Sequence, residues 1–307
     1  MLKFKNKIVL LLAVAVGVLA SGCTVQTMKT NTESTQEATK ETRVIKTEQG
    51  EIEIPVNPQR VIVTYYVGDA LALGVKPVAT YDPTGSAYEK ELEGIPVWET
   101  FEAEQLIAYE PDLFIVVNQE QYDIASKIAP TILLNFRDLS MEERVLFMGE
   151  ILNKKEAAAS AIKEFNLKRE EARAALAGKN ILEKTFSVIE GDGKSAIWVY
   201  GDKYGRGGEL LYSSLGFHAP EIVEKEIIAG EQYKEVSLEV ISDYIGDYII
   251  IAWGLNGLEG NKIWESLPAV KNGNVISVDF NLFFYNDIYS SNVQLDYLMN
   301  ALLKTQE

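Results

Sequence analysis

Arg206 stands in a run of glycines, Gly205-Arg206-Gly207-Gly208-Glu209. Arginine offers a planar, permanently charged fork of donors that suits anionic oxygens. The flanking glycines allow close backbone approach and open a helix whose N-terminus favours negative charge. The same residues also describe a surface arginine in a glycine turn, and the residues alone leave both readings open. Other chemistry is bounded by what the chain lacks. His218 is its one histidine and Cys23 its one cysteine, so a metal site built on two or three histidines is ruled out. A serine triad would have to use His218, and there is no G-x-S-x-G elbow. Gly193-Lys194-Ser195 resembles the end of a phosphate loop, but the full pattern needs glycine where Val188 stands. No nucleophile–base pair and no cofactor fingerprint is found. Paired carboxylates such as Asp202 and Glu209 keep an extracellular enzyme open as a reading from a different class.

Cys23 has a chemistry of its own. Lys3, Lys5 and Lys7 precede a short apolar run, Ile8–Ala20, and then Ser21-Gly22-Cys23. The run is too short for a transmembrane span, which wants about 20 residues. A charged start, a short apolar core and small residues describe a signal peptide over 1–22. A cysteine directly after it reads as a lipidation site, with Ala20 where the usual pattern has leucine. An ordinary secretory signal with an incidental cysteine is the plainer alternative. No intramolecular disulfide can form from one cysteine.

The chain has 307 residues, 29 basic and 45 acidic, for a net charge of −16. The segment 1–22 holds lysines and no acid, so its removal makes the rest more acidic. Such a surface is a poor partner for nucleic acid or anionic lipid headgroups. Contact with a membrane then falls to an acyl anchor on Cys23. Residues 23–42 are rich in Thr, Glu, Gln and Lys and read as a flexible tether, with a reach of roughly 25 Å.

The elements that must position Arg206 follow from periodicity. Val44–Thr47 and Glu51–Ile54 alternate around Gln49-Gly50 as a hairpin. Strands are expected at 61–63, 77–80, 113–117 and 131–134, with helices at 69–73, 102–108, 122–128 and 141–152 between them. Strands alternating with helices imply a mainly parallel sheet. Asn153 and Glu156 suit the N-cap and third position of a long helix that Gly178 stops. The second half repeats the logic, with strands at 186–189, 196–200, 248–251 and 275–278. Its helices are expected at 208–215, 238–245, 262–267 and 291–303. The fold class is therefore α/β. An N-terminal lobe (43–152) and a C-terminal lobe (179–307) are joined by one connecting helix (153–178), with a ligand cleft between the lobes. From the first lobe, Tyr65, Tyr66, Trp98, Asn118 and Phe136 lie at or just beyond strand or loop ends, where open α/β sheets bind ligands. Each could equally be core.

Three segments carry a resemblance: Pro55-x-x-Pro58-Gln59-Arg60-Val61, Glu104 through Glu110-Pro111-Asp112-Leu113, and Trp264-x-x-Leu267-x-Ala269-Val270-Lys271-x-Gly273. They resemble the iron-siderophore-binding lipoproteins of ABC importers over about residues 43–305. Trp198-Val199-Tyr200-Gly201-Asp202-Lys203-Tyr204-Gly205-Arg206-Gly207-Gly208-Glu209, with Phe284-Tyr285-Asn286-Asp287, is similar to the ferric-hydroxamate receptors of Gram-positive bacteria. The resemblance implies two Rossmann-like lobes of the class III periplasmic-binding-protein type with little closure. It implies that Arg206 meets the ligand oxygens, while Trp198, Tyr204 and Phe284 line the cleft. Relatives often carry Trp where Tyr204 and Phe284 stand, and Tyr where Trp198 stands. Glu104 and Glu239 align with the acids that dock on permease arginines. Ser237 as N-cap with Glu239 at a helix start is a second account of that pair.

The implied function is binding and delivery, without catalysis, of a ferric hydroxamate to an ABC permease and its ATPase, by a monomer lipid-anchored outside the cytoplasm. The ligand is an Fe(III)–siderophore complex whose iron is already wrapped, so neither a cofactor nor a protein metal ligand is needed. Catecholate, carboxylate or mixed siderophores would call for more cationic side chains, with Lys203 and Arg137 in reserve. Haem would rest on Tyr or His218 alone.

Overall fold

The computed structural model describes residues 41–135, 139–191, 197–253, 258 and 260–304. Cys23, the signal and most of the tether, Phe136 and Arg137 lie outside them.

Strands β1 (Thr42–Thr47) and β2 (Gly50–Pro55) form the expected antiparallel hairpin. Arg43 of β1 donates to the carbonyls of Glu150 and Ile151 and so satisfies the C-terminus of a helix far along the chain. Strand β3 (Val61–Val63) is apolar and buried throughout, as a central parallel strand must be. Helix α1 (Val67–Ala72) follows it, then α2 (Ala103–Ile107), β4 (Leu113–Val116), α3 (Gln119–Ala125) and β5 (Thr131–Leu133). The three strands make one parallel sheet in the order β3-β4-β5. The expected strand at 77–80 is absent. Thr80 makes an isolated bridge to Val97, because Pro77 has no N–H to give a ladder.

Helix α4 (Met141–Ile151) starts in a full capping box, with Ser140 and Glu143 satisfying each other's backbone. Helix α5 (Lys155–Ala177) is the long connector, 23 residues and about 35 Å at 1.5 Å each. Its N-cap is Lys154, and no side chain caps it. Asn153 is instead left-handed, with φ 54°, where it closes α4 and donates to Asn57. At the other end Gly178 is right-handed and Asn180 takes the left-handed turn.

The second sheet holds β6 (Phe186–Gly191), β7 (Ile197–Tyr200), β8 (Tyr233–Val236), β9 (Tyr248–Trp253) and β10 (Val275–Ser277), in the order β10-β9-β6-β7-β8. β10, β9 and β6 run parallel, while β7 is antiparallel to both of its neighbours, β6 and β8. β8 was not foreseen, because Tyr-Lys-Glu-Val carries no apolar run. Glu209–Ser214 winds as a wide π-helical segment. The expected helix at 238–245 is only a 3₁₀ turn at Ile241–Asp243, so the helix-cap account of Ser237 and Glu239 does not hold. Short helices α6 (Glu221–Val223), α7 (Lys262–Ser266), α8 (Pro268–Lys271) and α9 (Phe280–Phe283) precede α10 (Ile288–Lys304).

The core is continuous from one sheet to the other. A single buried cluster runs from Val61 and Val63 through Met148, Phe165 and Leu298 to Phe186 and Val188. Separate clusters fill the remaining face of each sheet, around Phe114 and Trp98 in one and Ile249 and Trp264 in the other.

Candidate functional site

Alternation along β7 decides which side chains meet. Ile197 and Val199 are buried, while Trp198 and Tyr200 are half-buried on the opposite face. Glu190 of β6 sits directly across from Trp198 and shares its face. Glu235 of β8 lies across from Trp198 on the other side. One row of the sheet thus reads Glu190, Trp198, Glu235.

The chain then leaves β7 and turns back through three consecutive left-handed residues, Gly205, Arg206 and Gly207, with φ of 70°, 57° and 85°. A Cβ on Gly205 would lie 2.0 Å from the Phe284 carbonyl oxygen, so this position needs glycine for space as well as for φ. The backbone N–H of Arg206 donates to the Phe283 carbonyl at 2.6 Å. The loop is therefore seated on the segment between α9 and α10.

That seating drives the Arg206 side chain inward. Its guanidinium carbon lies 4.8 Å from the Tyr200 ring centre, 5.0 Å from Phe284 and 5.4 Å from Phe280, within cation–π range. Its Nε donates to Glu190 Oε2 at 2.6 Å, and Nη1 donates to the Tyr204 carbonyl at 2.9 Å. Among the described residues, two of its five N–H groups are engaged in this way. Burial pushes the Tyr200 hydroxyl up to about 12, with Arg206 opposing and Glu190 reinforcing that shift. Further rings extend the wall. Tyr233 stacks on Tyr200 with centroids 6.2 Å apart and meets the Tyr204 ring edge-on at 5.5 Å. Trp253, 59% exposed at the end of β9, tilts against Phe280.

From the first sheet Tyr65 reaches this cluster. Its ring packs edge-on against Phe284 and its hydroxyl donates to the Phe284 carbonyl at 2.9 Å. The structure thus brings together Arg206, Tyr204, Trp198, Phe284 and Tyr65. It does not bring Trp98 or Asn118 to them, and Tyr66 meets this group through the Tyr65 ring, edge-on at 5.0 Å. Tyr66 is 0% exposed with the Arg144 guanidinium 4.2 Å above its ring. Trp98 is 1% exposed and packs against Tyr81 and Phe101. Asn118 is exposed and caps α3, accepting from the Gln121 N–H. Glu104 and Glu239 are both exposed, on α2 and in the turn after β8. Glu190, Tyr200, Tyr233, Phe280 and Trp253 are members of the cluster that the sequence reading left out. Glu190 had a signal: it is the one charged residue in the apolar run Phe186–Gly191.

Behind the cluster lies a buried ion network. Arg144 pairs with Asp69 at 2.7 Å and with Glu209 at 3.6 Å, and its Nη2 donates to the Asn286 carbonyl. Asn286 donates to Glu209 at 2.7 Å. Glu209 is raised above the usual carboxylate range by burial, against the pull of Arg144 and Lys203. Asp202 accepts from Ser213. Glu209 and Asp202 are thus each engaged by hydrogen bonds of the fold. Among the described residues no group of His, Cys, Asp and Glu side chains is arranged to hold a metal ion.

Residues 57–282 match the family model for periplasmic binding proteins. The Iron(3+)-hydroxamate-binding protein YxeB of Bacillus subtilis is 30% identical over 315 residues, covering 99% of this chain and 98% of that protein. The Iron(3+)-hydroxamate-binding protein FhuD of the same organism is 31% identical, covering 86% and 87%. Among solved structures, FhuD2 from Staphylococcus aureus with bound ferrioxamine B superposes with a TM-score of 0.75 at 25% identity, over 81% of this chain and all of that one.

Proposed function

We propose that this chain, which belongs to the periplasmic binding protein family and within it to the siderophore-binding proteins of ABC transporters, takes ferric hydroxamates as its ligand and hands them to an importer. The observation that carries the reading is the Arg206 guanidinium held among Tyr200, Phe280 and Phe284. A ferric hydroxamate presents a compact apolar shell around anionic oxygens. Guanidinium N–H donors and a surrounding aromatic wall match both parts of that surface. The two-lobe architecture and the core shared by both lobes agree with a rigid carrier.

Three further assignments belong to the same proposal. Cys23 carries the lipid that holds the protein at the outer face of the membrane. Glu104 and Glu239, both exposed and one from each lobe, dock on cationic side chains of the permease. The carrier acts as a monomer.

The test is a titration of the chain from residue 24 onward with ferrioxamine B, ferrichrome and a ferric catecholate, followed by tryptophan quenching. Trp198 and Trp253 are the reporters. Tight, saturable quenching by the hydroxamates alone is the expected result, with at least a tenfold loss of affinity in Arg206→Ala. Tight binding of the catecholate alone would keep the carrier and replace its ligand. No quenching by any of the three would overturn the reading.

A further inference from the structure

Arg206 does not face the cleft as an isolated cation. Its Nε meets Glu190 Oε2 at 2.6 Å, and the two side chains are 13% and 12% exposed. Two opposite charges this close and this little hydrated cancel for anything beyond their immediate neighbours. The pair is fixed from both sides. Glu190 stands in the sheet row between β9 and Trp198, and Arg206 is held by the left-handed loop and the Tyr204 carbonyl. Of the residues the structure brings together around Arg206, namely Tyr65, Trp198, Tyr200, Tyr204, Phe280 and Phe284, no other is cationic. Glu235, across from Trp198, adds acid at the rim. Among the described residues of this group, an arriving ligand therefore meets hydrogen-bond donors whose positive charge is balanced.

We infer that Glu190 is a specificity-determining residue: by balancing Arg206 it selects neutral and cationic iron chelates and rejects strongly anionic ones. The inference rests on the reading of this cleft as the iron-chelate site. The chemistry sorts ligands by the charge of their donor groups. Three hydroxamates, each singly negative, leave an Fe(III) complex neutral, and an added ammonium makes it cationic. Three catecholates, each doubly negative, leave it a trianion. A bare Arg206 would reward the trianion most. The carboxylate of Glu190 removes that reward while leaving guanidinium N–H groups of Arg206 to bind oxygens. Specificity of this kind comes from a built-in repulsion as much as from an attraction.

The test uses the full-length chain in detergent, with neutral ferrichrome, cationic ferrioxamine B and a trianionic ferric tris-catecholate as probes. Wild type is expected to prefer both hydroxamates over the trianion by at least 100-fold. In Glu190→Gln that ratio is expected to narrow at least tenfold, chiefly by tighter trianion binding, and ferrioxamine B should lose more affinity than ferrichrome. Arg206→Gln strips the balance from the other side and should widen the ratio between ferrioxamine B and the trianion. That second variant decides the matter if Glu190→Gln fails to fold. Equal weakening of all three probes in both variants would overturn the inference and leave Glu190 as a residue that only holds Arg206 in place. Wild type binding none of the probes would overturn the carrier reading itself, an outcome distinct from an unchanged ratio.

Discussion

The Tyr65 hydroxyl donates to the Phe284 carbonyl at 2.9 Å, joining residues 219 apart in sequence and the two halves of the molecule. The Tyr65 ring also packs against Tyr66, Phe284 and Tyr285. Tyr65→Phe keeps those ring contacts and removes the one bond, leaving a half-buried carbonyl unsatisfied. The expected cost is about 1–2 kcal/mol in urea unfolding. An unchanged midpoint would mean that water replaces the bond.

Gly205 and Gly74 share a left-handed backbone, with φ of 70° and 75°. They differ in surroundings. A Cβ on Gly74 meets nothing within 4 Å, whereas one on Gly205 lies 2.0 Å from the Phe284 oxygen. Gly74→Ala should cost about 1 kcal/mol, from φ alone. Gly205→Ala should cost at least about 2 kcal/mol more, because the loop must leave its seat. Equal midpoints for the two variants in urea would show that the loop shifts freely.

Arg144 is 2% exposed between two buried acids and over the Tyr66 ring. Arg144→Met leaves Asp69 and Glu209 buried without their cation and should cost about 3–5 kcal/mol. Adding Asp69→Asn and Glu209→Gln removes the stranded charges. The triple variant should then be more stable than the single one by chemical denaturation. A triple variant weaker than the single one would show that the bonds these acids accept from the Ile288 N–H and the Asn286 amide outweigh the stranded charges.

Asp287 immediately precedes α10, where its carboxylate accepts from the Ser290 N–H and hydroxyl. Burial, reinforced by the charge of Asp69, pushes it up to about 7 from an ordinary 3.8, against the pull of Ser290 and Arg144. The folded chain therefore keeps this proton at pH values where the unfolded chain has released it. The stability contributed by that proton is full near pH 4, falls as pH rises towards 7 and is gone above it. Glu209 shifts in the same direction. Exposed Glu143 and Glu226, lowered by Ser140 and Lys234 respectively, slope the opposite way, but only at more acid pH. Melting temperatures of wild type should fall from pH 5 to pH 8, and Asp287→Asn should flatten that fall. Identical slopes in the two proteins would remove Asp287 from the account.

The sequence by itself determined the elements whose signals are local. Alternation marked β1 and β2, an unbroken apolar run marked β4 and β9, and spacing by threes and fours marked α5. Arg206 was singled out by the family resemblance of its motif, since an arginine among glycines describes a surface turn as well. Local signals fail where a long-range contact sets the outcome. Ser237 and Glu239 look like a helix start, yet the chain forms one 3₁₀ turn there. The polar run of β8 becomes a strand because β7 offers it an edge. Tyr66 and Trp98 sit at strand and loop ends, as ligand-contacting aromatics do, but Arg144 covers one and Tyr81 and Phe101 enclose the other. Only the tertiary structure set Glu190 against Arg206. Glu190 acquires its meaning from a sheet register and a left-handed loop that bring two charges within 2.6 Å. Residue types state what a side chain can do, and periodicity states which face it takes. Which charge it meets is decided by the packing energy of the whole chain.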